Sequence, residues 1–568
     1  MNLKEHLQKL KTILDKNTLE AAYISSSDQY LNEYVPLENS QRYFLTGFTG
    51  STSELLITNN LEVYLFVDGR YHQQADLEVD KNVVTVVKCP LNLSIQTAML
   101  DKIAELKIKS LAVDGQRTSF CLIKKIEKLI KVTKFNHFEL DKILPIKKYK
   151  FVKNITQLPI EVTGESSISK VQRLIRDTEA CFLSSLDSIA WVTNCRGFHL
   201  PFQSTFLAKA LVQKTGITVF IDTALECEIY VLDKFIDFRR IDFSHLKEEL
   251  AKVVESNIER IYYDDLYING SDYSSLMEIF SNKLVEKSGG IIDIQSIKNQ
   301  CEIAEMKQSF NKSSKVIFET LTFIKEAIAS GKKISEGDVF QKVNDLYRKS
   351  GALDQSFNTI AAVGPNSSII HYSKSDPTIE ISETDFVLLD SGALYQNGYA
   401  TDTTRTILAG KNPSAKQKEI YSLVLKGLLN ALNAVFPADT WGAAIDMLAR
   451  LPLCQYGLNF NHSTGHGVGI NVHEGGIRFN SKSSTPIKIG QVVSIEPGIY
   501  IPDFGGVRLE DVVVVKAHDR FSEMLCFESL VYIGFDHSLI DQQMLNVQEL
   551  KYLEVYESEC KRRGTLLT

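Results

Sequence analysis

Residues 507–515 read VRLEDVVVV. A run so rich in β-branched residues reads as a buried strand, yet Glu510 and Asp511 stand side by side in its interior. Strand side chains alternate between faces, so the two carboxylates point opposite ways and at least one meets the more buried side. An isolated buried carboxylate is costly, and it either takes up a proton or finds a cation. Whatever this strand packs into must therefore supply positive charge close to an acid.

Other acids occupy similar positions. DFVLLDSGALY (385–395) puts Asp390 at the end of an apolar strand, and YATDTTRTILAG (399–410) puts Asp402 in a Thr-rich one. The QNG between them (396–398) carries the Asn-Gly hairpin signal, so an antiparallel pair brings the two aspartates together. VVSIEPGIYIP (492–502) places Glu496 at a strand end that Pro497-Gly498 then breaks, and a turn through DFGG leads on to Glu510. Between the two hairpins lies NHSTGHGVGINVHEGG (461–476), with His462, His466 and His473 among glycines. Taken singly, an acid at a strand end is more often a cap, a lone histidine is usually structural, and GHG is a tight turn. The ordered combination is a different matter. Four converging carboxylates repel and their pKa values rise, unless a pair of divalent cations, which carboxylates can bridge, neutralises them. An oxygen-rich set with one or two imidazoles suits manganese, cobalt, iron or zinc better than calcium.

The remainder of the chain frames this constellation. With 568 residues the chain is expected to form three or four domains. A net charge of −7 is small for that length and excludes a nucleic-acid binder relying on bulk basicity. The nine cysteines are scattered with no CxxC pair, a pattern expected of reduced thiols in the cytoplasm. MNLKEHLQKLKTILDK reads as an amphipathic helix rather than a signal peptide, and no run reaches the roughly 18 apolar residues that cross a bilayer. Two segments echo each other: RYFLTGFTGSTSELLITNNLEVYLFVDGRY (42–71) and IAWVTNCRGFHLPFQSTFLAKALVQKTGITVFIDTAL (189–225). Each is expected to give three strands with a Gly turn after the first, closing on Phe-x-Asp, and each precedes a strand ending in Asp, SLAVD (110–114) or RIYYD (260–264). This pattern points to a duplicated α/β domain joined through 140–165. From about 296, Ile303, Met306, Phe310, Ile317 and Leu321 follow helical spacing, and Ser335 with Asp338 is placed to open a second helix. Beyond 355 strands alternate with Gly turns, giving an α+β region rich in antiparallel strand.

DSGALYQNGYATDTTRT (390–406), HSTGHGVGINVHEGG (462–476), EPGIYIP (496–502) and GVRLEDVVVV (506–515) resemble the motifs of the pita-bread metallopeptidases, the family of methionine aminopeptidase, prolidase and Xaa-Pro aminopeptidase. The N-terminal echoes and the tail FESLVYIGFDHSLID…LKYLEVYESECKRR resemble the long, three-domain members of that family. The resemblance implies two related creatinase-like α/β domains, 1–150 and 151–296, followed by a pita-bread catalytic domain with a C-terminal extension, 297–568. It implies that Asp390 chelates one metal, that His466 and Glu496 bind the other, and that Asp402 and Glu510 bridge both. His371 in IIHYSK would contact the substrate or transition state, His462 and His473 would line the pocket on the proline side, and Arg508 would orient ligand carboxylates from behind. The implied reaction is hydrolysis of the bond before proline at a peptide's N-terminus, with Glu496 shuttling the proton and two metal ions, manganese foremost, as cofactors. Substrates would be peptides with proline at the second position, and the implied assembly is a homodimer with no membrane or nucleic-acid partner. The N-terminal domains are expected to favour short peptides by narrowing access. The alternatives are an Xaa-Pro dipeptidase (prolidase) and, in a different class, a peptide- or histone-binding pseudoenzyme, though such proteins have lost the acids that this chain retains. Two departures stand out. Asp390 and Asp402 are twelve residues apart where the family pattern has eleven, and Ser463 replaces a glycine in the usual HGTGH.

Overall fold

The computed structural model describes residues 2–135, 140–150 and 152–567. The chain forms two units, Met1–Ile291 and Ile292–Thr568. No helix of the described residues is long and apolar enough to cross a membrane, and all nine cysteines are free.

In the first unit one sheet topology occurs twice. Strands β1 (Ala21–Ser25), β2 (Glu54–Thr58), β3 (Val63–Val67), β4 (Val84–Lys88), β5 (Ser110–Asp114) and β6 (Lys131–Phe135) pair in the order β4-β3-β2-β1-β5-β6. Strands β7 (Glu179–Leu183), β8 (Lys209–Gln213), β9 (Gly216–Asp222), β10 (Ile236–Ile241), β11 (Arg260–Tyr263) and β12 (Leu284–Glu286) repeat it as β10-β9-β8-β7-β11-β12. Directions match as well: β1–β2 and β2–β3 are antiparallel and the other pairs parallel, as are their counterparts. Both faces of the first sheet are covered. Ala22 and Ile24 pack with Leu7, Leu10 and Leu14 of the amphipathic helix α1 (Leu3–Lys16), while Ala21 and Tyr23 pack with Met99 and Ile103.

The two copies meet in a reciprocal contact. The Phe120 N–H bonds to the Ile268 carbonyl and the Gly270 N–H to Thr118, while Cys121 bonds to Asp265 and Ser271 to Gly115. Ser119, which caps one helix, bridges Asn269, which caps the matching helix of the other copy. Residues the same distance past Asp114 and Asp264 thus exchange places, as in an isologous two-fold contact. Duplication explains this symmetry.

One part of the repeat differs from the expectation. The leading segment of each echo is a helix, α2 (Gln41–Thr46) and α3 (Leu186–Thr193), where a strand was read. Ser40 accepts the Tyr43 N–H at the start of α2, and Gly47 ends it at φ +78°. Asn194 ends α3 at φ +58°. Apolar runs this short fit either period, and the caps decide.

The second unit begins with α4 (Gln300–Ala329) and α5 (Glu336–Lys349). Both open with capping boxes, Asn299/Glu302 and Ser335/Asp338. Every strand pairing that follows is antiparallel. Strands β13 (Ile360–Val363), β14 (Phe386–Asp390) and β15 (Thr404–Leu408) form one sheet. A larger sheet runs Phe436–Pro437, β22 (Met524–Ser529), β21 (Asp511–Ala517), β18 (Val492–Ile495), β16 (Gly465–Gly467), β17 (Glu474–Phe479). Strands β19 (Gly498–Ile501) and β20 (Gly505–Arg508) pair with each other. Helices α6 (Ala415–Leu432), α7 (Gly442–Cys454) and α8 (Val547–Arg563) contribute to the same core through Leu425, Leu428, Ile445, Leu453 and Tyr556, against Val493, Val513 and Val515.

The run 507–515 is therefore not one strand. It breaks at Leu509–Glu510, where the chain leaves β20 and joins β21 in another sheet. Its partner breaks opposite, at Glu496–Pro497, between Ile495 paired with Asp511 and Gly498 paired with Arg508. Pro497 has no N–H to give a ladder.

Candidate metal centre

Both hairpins aim acids at one place. In the first, Asp390 lies opposite Thr404, and Asp402 precedes Thr404 by two residues. The ladder from Phe386↔Leu408 to Asp390↔Thr404 has no slip, and the Ser391 N–H to Thr403 carbonyl bond (3.1 Å) carries the pairing onward. The additional residue is taken up in the turn 395–399, closed by the Leu394–Ala400 bridge and by Gly398 at φ +74°. The Asn397 amide anchors that turn on α4, donating to the Glu305 carbonyl (3.2 Å) and carboxylate (3.1 Å) and to Ser309 Oγ (2.9 Å). The strands approach closely here, since a Cβ on Gly392 would stand 1.8 Å from the Thr401 carbonyl oxygen.

In the second hairpin Glu496 and Glu510 occupy the facing breaks. The Glu510 N–H bonds to the Thr404 carbonyl (3.0 Å) and the Glu496 N–H to Thr464 (2.8 Å), so each break is stitched to a neighbouring ligand segment instead of to its own ladder. Asp511, on the opposite face from Glu510, meets Arg405 at 2.7 Å with both side chains fully buried. Glu510 has no such cation. One carboxylate oxygen accepts from Thr404 Oγ1 (2.8 Å), and the other is buried without a partner.

His466 enters from β16. Its Nδ1 faces its neighbour's carbonyl, Gly467 O, at 3.1 Å, which fixes that nitrogen as the N–H donor. Nε2 then faces Asp402 Oδ2 and Glu496 Oε1, each 3.5 Å away. Ligand atoms of Asp402, His466 and Glu510 all lie within 4.8 Å of one another. Asp390 reaches the cluster from the far side, where Arg508 Nη2 donates to Oδ2 (2.6 Å) while Oδ1 is buried and unpartnered. Burial, followed by the charge of Asp390, pushes the Asp402 carboxyl far above its ordinary range. Burial, followed by Asp402, does the same to Glu510. Burial raises Glu496 to about 7 although His466 and Arg508 pull it back. Four carboxylates converging in a buried pocket, two of their oxygens orphaned, are the environment that divalent cations neutralise. The donor set fits them.

The surrounding side chains connect these acids. Arg508 also donates to Thr404 Oγ1 (3.1 Å), Tyr500 OH (2.9 Å) and the Ile370 carbonyl (3.3 Å). Through Thr404 it reaches Glu510, and through Tyr500 it reaches His462, whose Nε2 is 2.9 Å from the phenol oxygen. His462 Nδ1 is 4.0 Å from Glu496 Oε2. The His473 ring stands edge-on to His466, centroids 4.3 Å apart. His371 is half-buried beside Ile370, whose carbonyl Arg508 holds. These contacts link Asp390, Asp402, His462, His466, His473, Glu496, Glu510 and Arg508, while His371 is tied to them through the backbone of its neighbour Ile370. Sequence reasoning missed Tyr500, Thr404 and Glu474. The Glu474 carboxylate is buried against Lys298 and Gln295 and fills the space under Gly469, fixing the loop that carries His473. Ser463 is not among the residues with positive φ, so the position does not require the left-handed backbone that favours glycine.

Comparison with known proteins gives the same regions. Models of the Creatinase/Prolidase N-terminal domain match residues 6–141 and 147–302, and that of Metallopeptidase family M24 matches 304–517. A probable Xaa-Pro aminopeptidase P of Laccaria bicolor is 30% identical over 98% of this chain and 90% of its own. The X-prolyl aminopeptidase of Caenorhabditis elegans, described as a cytosolic enzyme with a di-nuclear active site, superposes with a TM-score of 0.89 at 24% identity over 99% of this chain and 96% of its own. An Xaa-Pro dipeptidase of Bacillus anthracis, 27% identical, matches 65% of this chain and 99% of its own with a TM-score of 0.53. With near-complete coverage of a relative at this identity, and with both N-terminal domain models preceding the catalytic one, the chain belongs to metallopeptidase family M24.

Proposed function

We propose that this protein is a metal-dependent aminopeptidase that removes the N-terminal residue of peptides with proline at the second position. The observation that carries this is the buried convergence of Asp402, His466 and Glu510, with Asp390 and Glu496 beside them and one carboxylate oxygen of each of Asp390 and Glu510 left without a partner. Two divalent ions fit this set, manganese first and cobalt, zinc or iron as alternatives. Asp390 would hold one, His466 and Glu496 the other, and Asp402 and Glu510 both. Bound there, such ions supply a water acidic enough to act as hydroxide near neutral pH.

The protein's own groups do the rest. His371 and His462 orient the scissile carbonyl and steady the charge that develops on its oxygen. His473 closes the proline side of the pocket. Glu496 carries a proton to the proline nitrogen, which has no hydrogen of its own as an amide. Arg508 keeps Asp390 and Glu510 in register through its direct and Thr404-mediated bonds. The division into 1–150, 151–296 and 297–568 fits the matched family regions. A cytoplasmic location accords with nine free thiols.

Metal analysis of the purified protein, with hydrolysis of Arg-Pro-Pro and Gly-Pro measured before and after chelation, tests the reading. Two bound ions per chain, loss of activity on chelation, recovery with manganese and preference for Arg-Pro-Pro are the expected results. Preference for Gly-Pro would make the protein a dipeptidase instead, and activity indifferent to chelation would overturn the metal assignment.

We further infer a homodimer formed through the catalytic domain. Helix α7 and its flanks leave Trp441, Met447, Leu448, Leu451 and Tyr456 exposed on one side. Apolar surface of this kind at helical spacing marks an interface. Replacing Leu448 and Leu451 by glutamate should convert a dimer to a monomer in sedimentation equilibrium; an unchanged mass would move the interface elsewhere.

A further inference from the structure

His371 lies in a segment, 369–379, without regular secondary structure. A residue asked to meet a transition state needs fixed geometry, so the source of that rigidity has to be found among its neighbours. Arg508 supplies one anchor, through the Ile370 carbonyl on the ligand side of His371. The other lies behind. Glu336, at the start of α5, is completely buried. Oε2 accepts from Tyr372 OH (2.7 Å) and the Asp376 N–H (3.0 Å), and Oε1 from the Val363 N–H (2.8 Å) and Asn366 Nδ2 (2.9 Å). Every neighbour donates, so the carboxylate acts purely as an acceptor, and charge-assisted bonds of this kind are about twice as strong as neutral ones. The helix N-terminus adds favourable field to the negative charge.

The same short stretch seats the rest of the segment. The Glu336 N–H bonds to Ile379 O (3.1 Å), and the Ile381 N–H to Ile334 O (2.9 Å). A Cβ on Gly337 would come within 2.9 Å of Pro377 Cα, so the loop lies directly on the helix start. None of these contacts involves a residue that would hold metal.

We propose that Glu336 is a positioning residue: through Tyr372 and Asp376 it fixes the backbone on one side of His371 while Arg508 fixes the other. The inference rests on the proposed role of His371 in catalysis. A purely structural carboxylate would influence folding and every catalytic parameter alike; a clamp on His371 acts only while His371 is present.

The test is a double-mutant cycle on the metal-loaded full chain, with Arg-Pro-Pro as substrate. Glu336→Gln keeps the shape but opposes an amide group to the Asp376 N–H. Tyr372→Phe removes one hydroxyl, leaves three donors on Glu336, and serves if Glu336→Gln folds poorly. Each should lower kcat by roughly 10- to 100-fold, with KM within about twofold and metal content unchanged. In a His371→Ala background the same substitutions should cost less than about twofold, because the group they position has gone. Equal losses in both backgrounds, or none in Tyr372→Phe, would overturn the inference while leaving His371 in its role. A His371→Ala enzyme with full kcat would overturn the role of His371 itself, and the inference with it.

Discussion

Replacing Glu510 by glutamine is expected to cut peptide hydrolysis by about 10³-fold, since ligand loss forfeits several kcal/mol of transition-state stabilisation, and at the same time to raise the melting temperature of the chelator-treated protein at pH 8. The two effects share one cause. Without metal, Glu510 is a fully buried acid facing Asp402, Glu496 and Asp390, and burial is the largest reason that its pKa rises. In the unfolded chain it titrates at about 4.3. Between that value and the raised native one, the folded protein binds a proton that the unfolded protein has released, so stability falls as pH rises. Glutamine has no proton to lose and keeps the Thr404 hydroxyl as a partner for its amide oxygen. Its advantage over the parent should therefore be largest at pH 8 and should shrink as pH falls toward 5. Adding manganese reverses the order. The parent gains about 2.7 kcal/mol when free metal is 100-fold above Kd, whereas the variant lacks one of the carboxylates proposed to hold both ions and gains less. Calorimetric melting of both proteins with chelator and with manganese, at pH 6 and pH 8, decides the matter. A variant that melts below the parent in chelator at pH 8 would show that Glu510 serves the fold before it serves a metal.

That inversion explains which parts of the molecule were legible in the sequence. Asp390, Asp402, Glu496 and Glu510 could be found because each violates a local rule: an acid in an apolar strand conflicts with its surroundings and points to a partner outside the strand. The hairpins were legible through Gln396-Asn397-Gly398 and Pro497-Gly498, whose backbone preferences are local. The supporting residues break no rule. Tyr500 alternates normally along β19, Thr404 is an ordinary strand residue, and Glu336 reads as a typical acid in a first helical turn. Their importance comes from partners far away in sequence, such as His462 Nε2 on Tyr500 and Tyr372 OH on Glu336. The two misread helices are a different failure. Ser40 and Gly47 frame α2 as a cap pair, a signal that was present in the sequence and that the apolar run obscured. The division of 507–515 between two sheets had no local signal, because β-branched residues favour a strand on either side of the break.

The neighbour of Glu510 makes the complementary case. Arg405→Met should destabilise the second unit by about 3–5 kcal/mol, the range seen when one partner of a buried ion pair is removed. For a unit of this size that is a fall of roughly 10 °C in melting temperature. Arg405 donates from Nη2 to Asp511 (2.7 Å), Ile533 O (2.9 Å) and Tyr556 OH (2.8 Å), and from Nη1 to the Glu510 carbonyl (2.7 Å) and the Thr404 carbonyl (3.1 Å). Burial pushes the Asp511 carboxyl upward and Arg405 draws it back, so without Arg405 only Ser529 and Tyr556 remain to hold a buried charge. Asp511→Asn in the Arg405→Met background should then recover much of the lost stability, because the uncompensated charge has gone. It should not recover activity, because the backbone of Glu510 still lacks the guanidinium that fixes it. Stability and activity would part company in a single double mutant, and additive melting shifts for the two substitutions would refute the assignment of Arg405 as the counter-charge of Asp511. Adjacent acids at the break between β20 and β21 thus meet opposite solutions: Asp511 is balanced within the polypeptide and stabilises the fold, whereas Glu510, on the proposed reading, awaits an exogenous cation and weakens the fold until that cation binds.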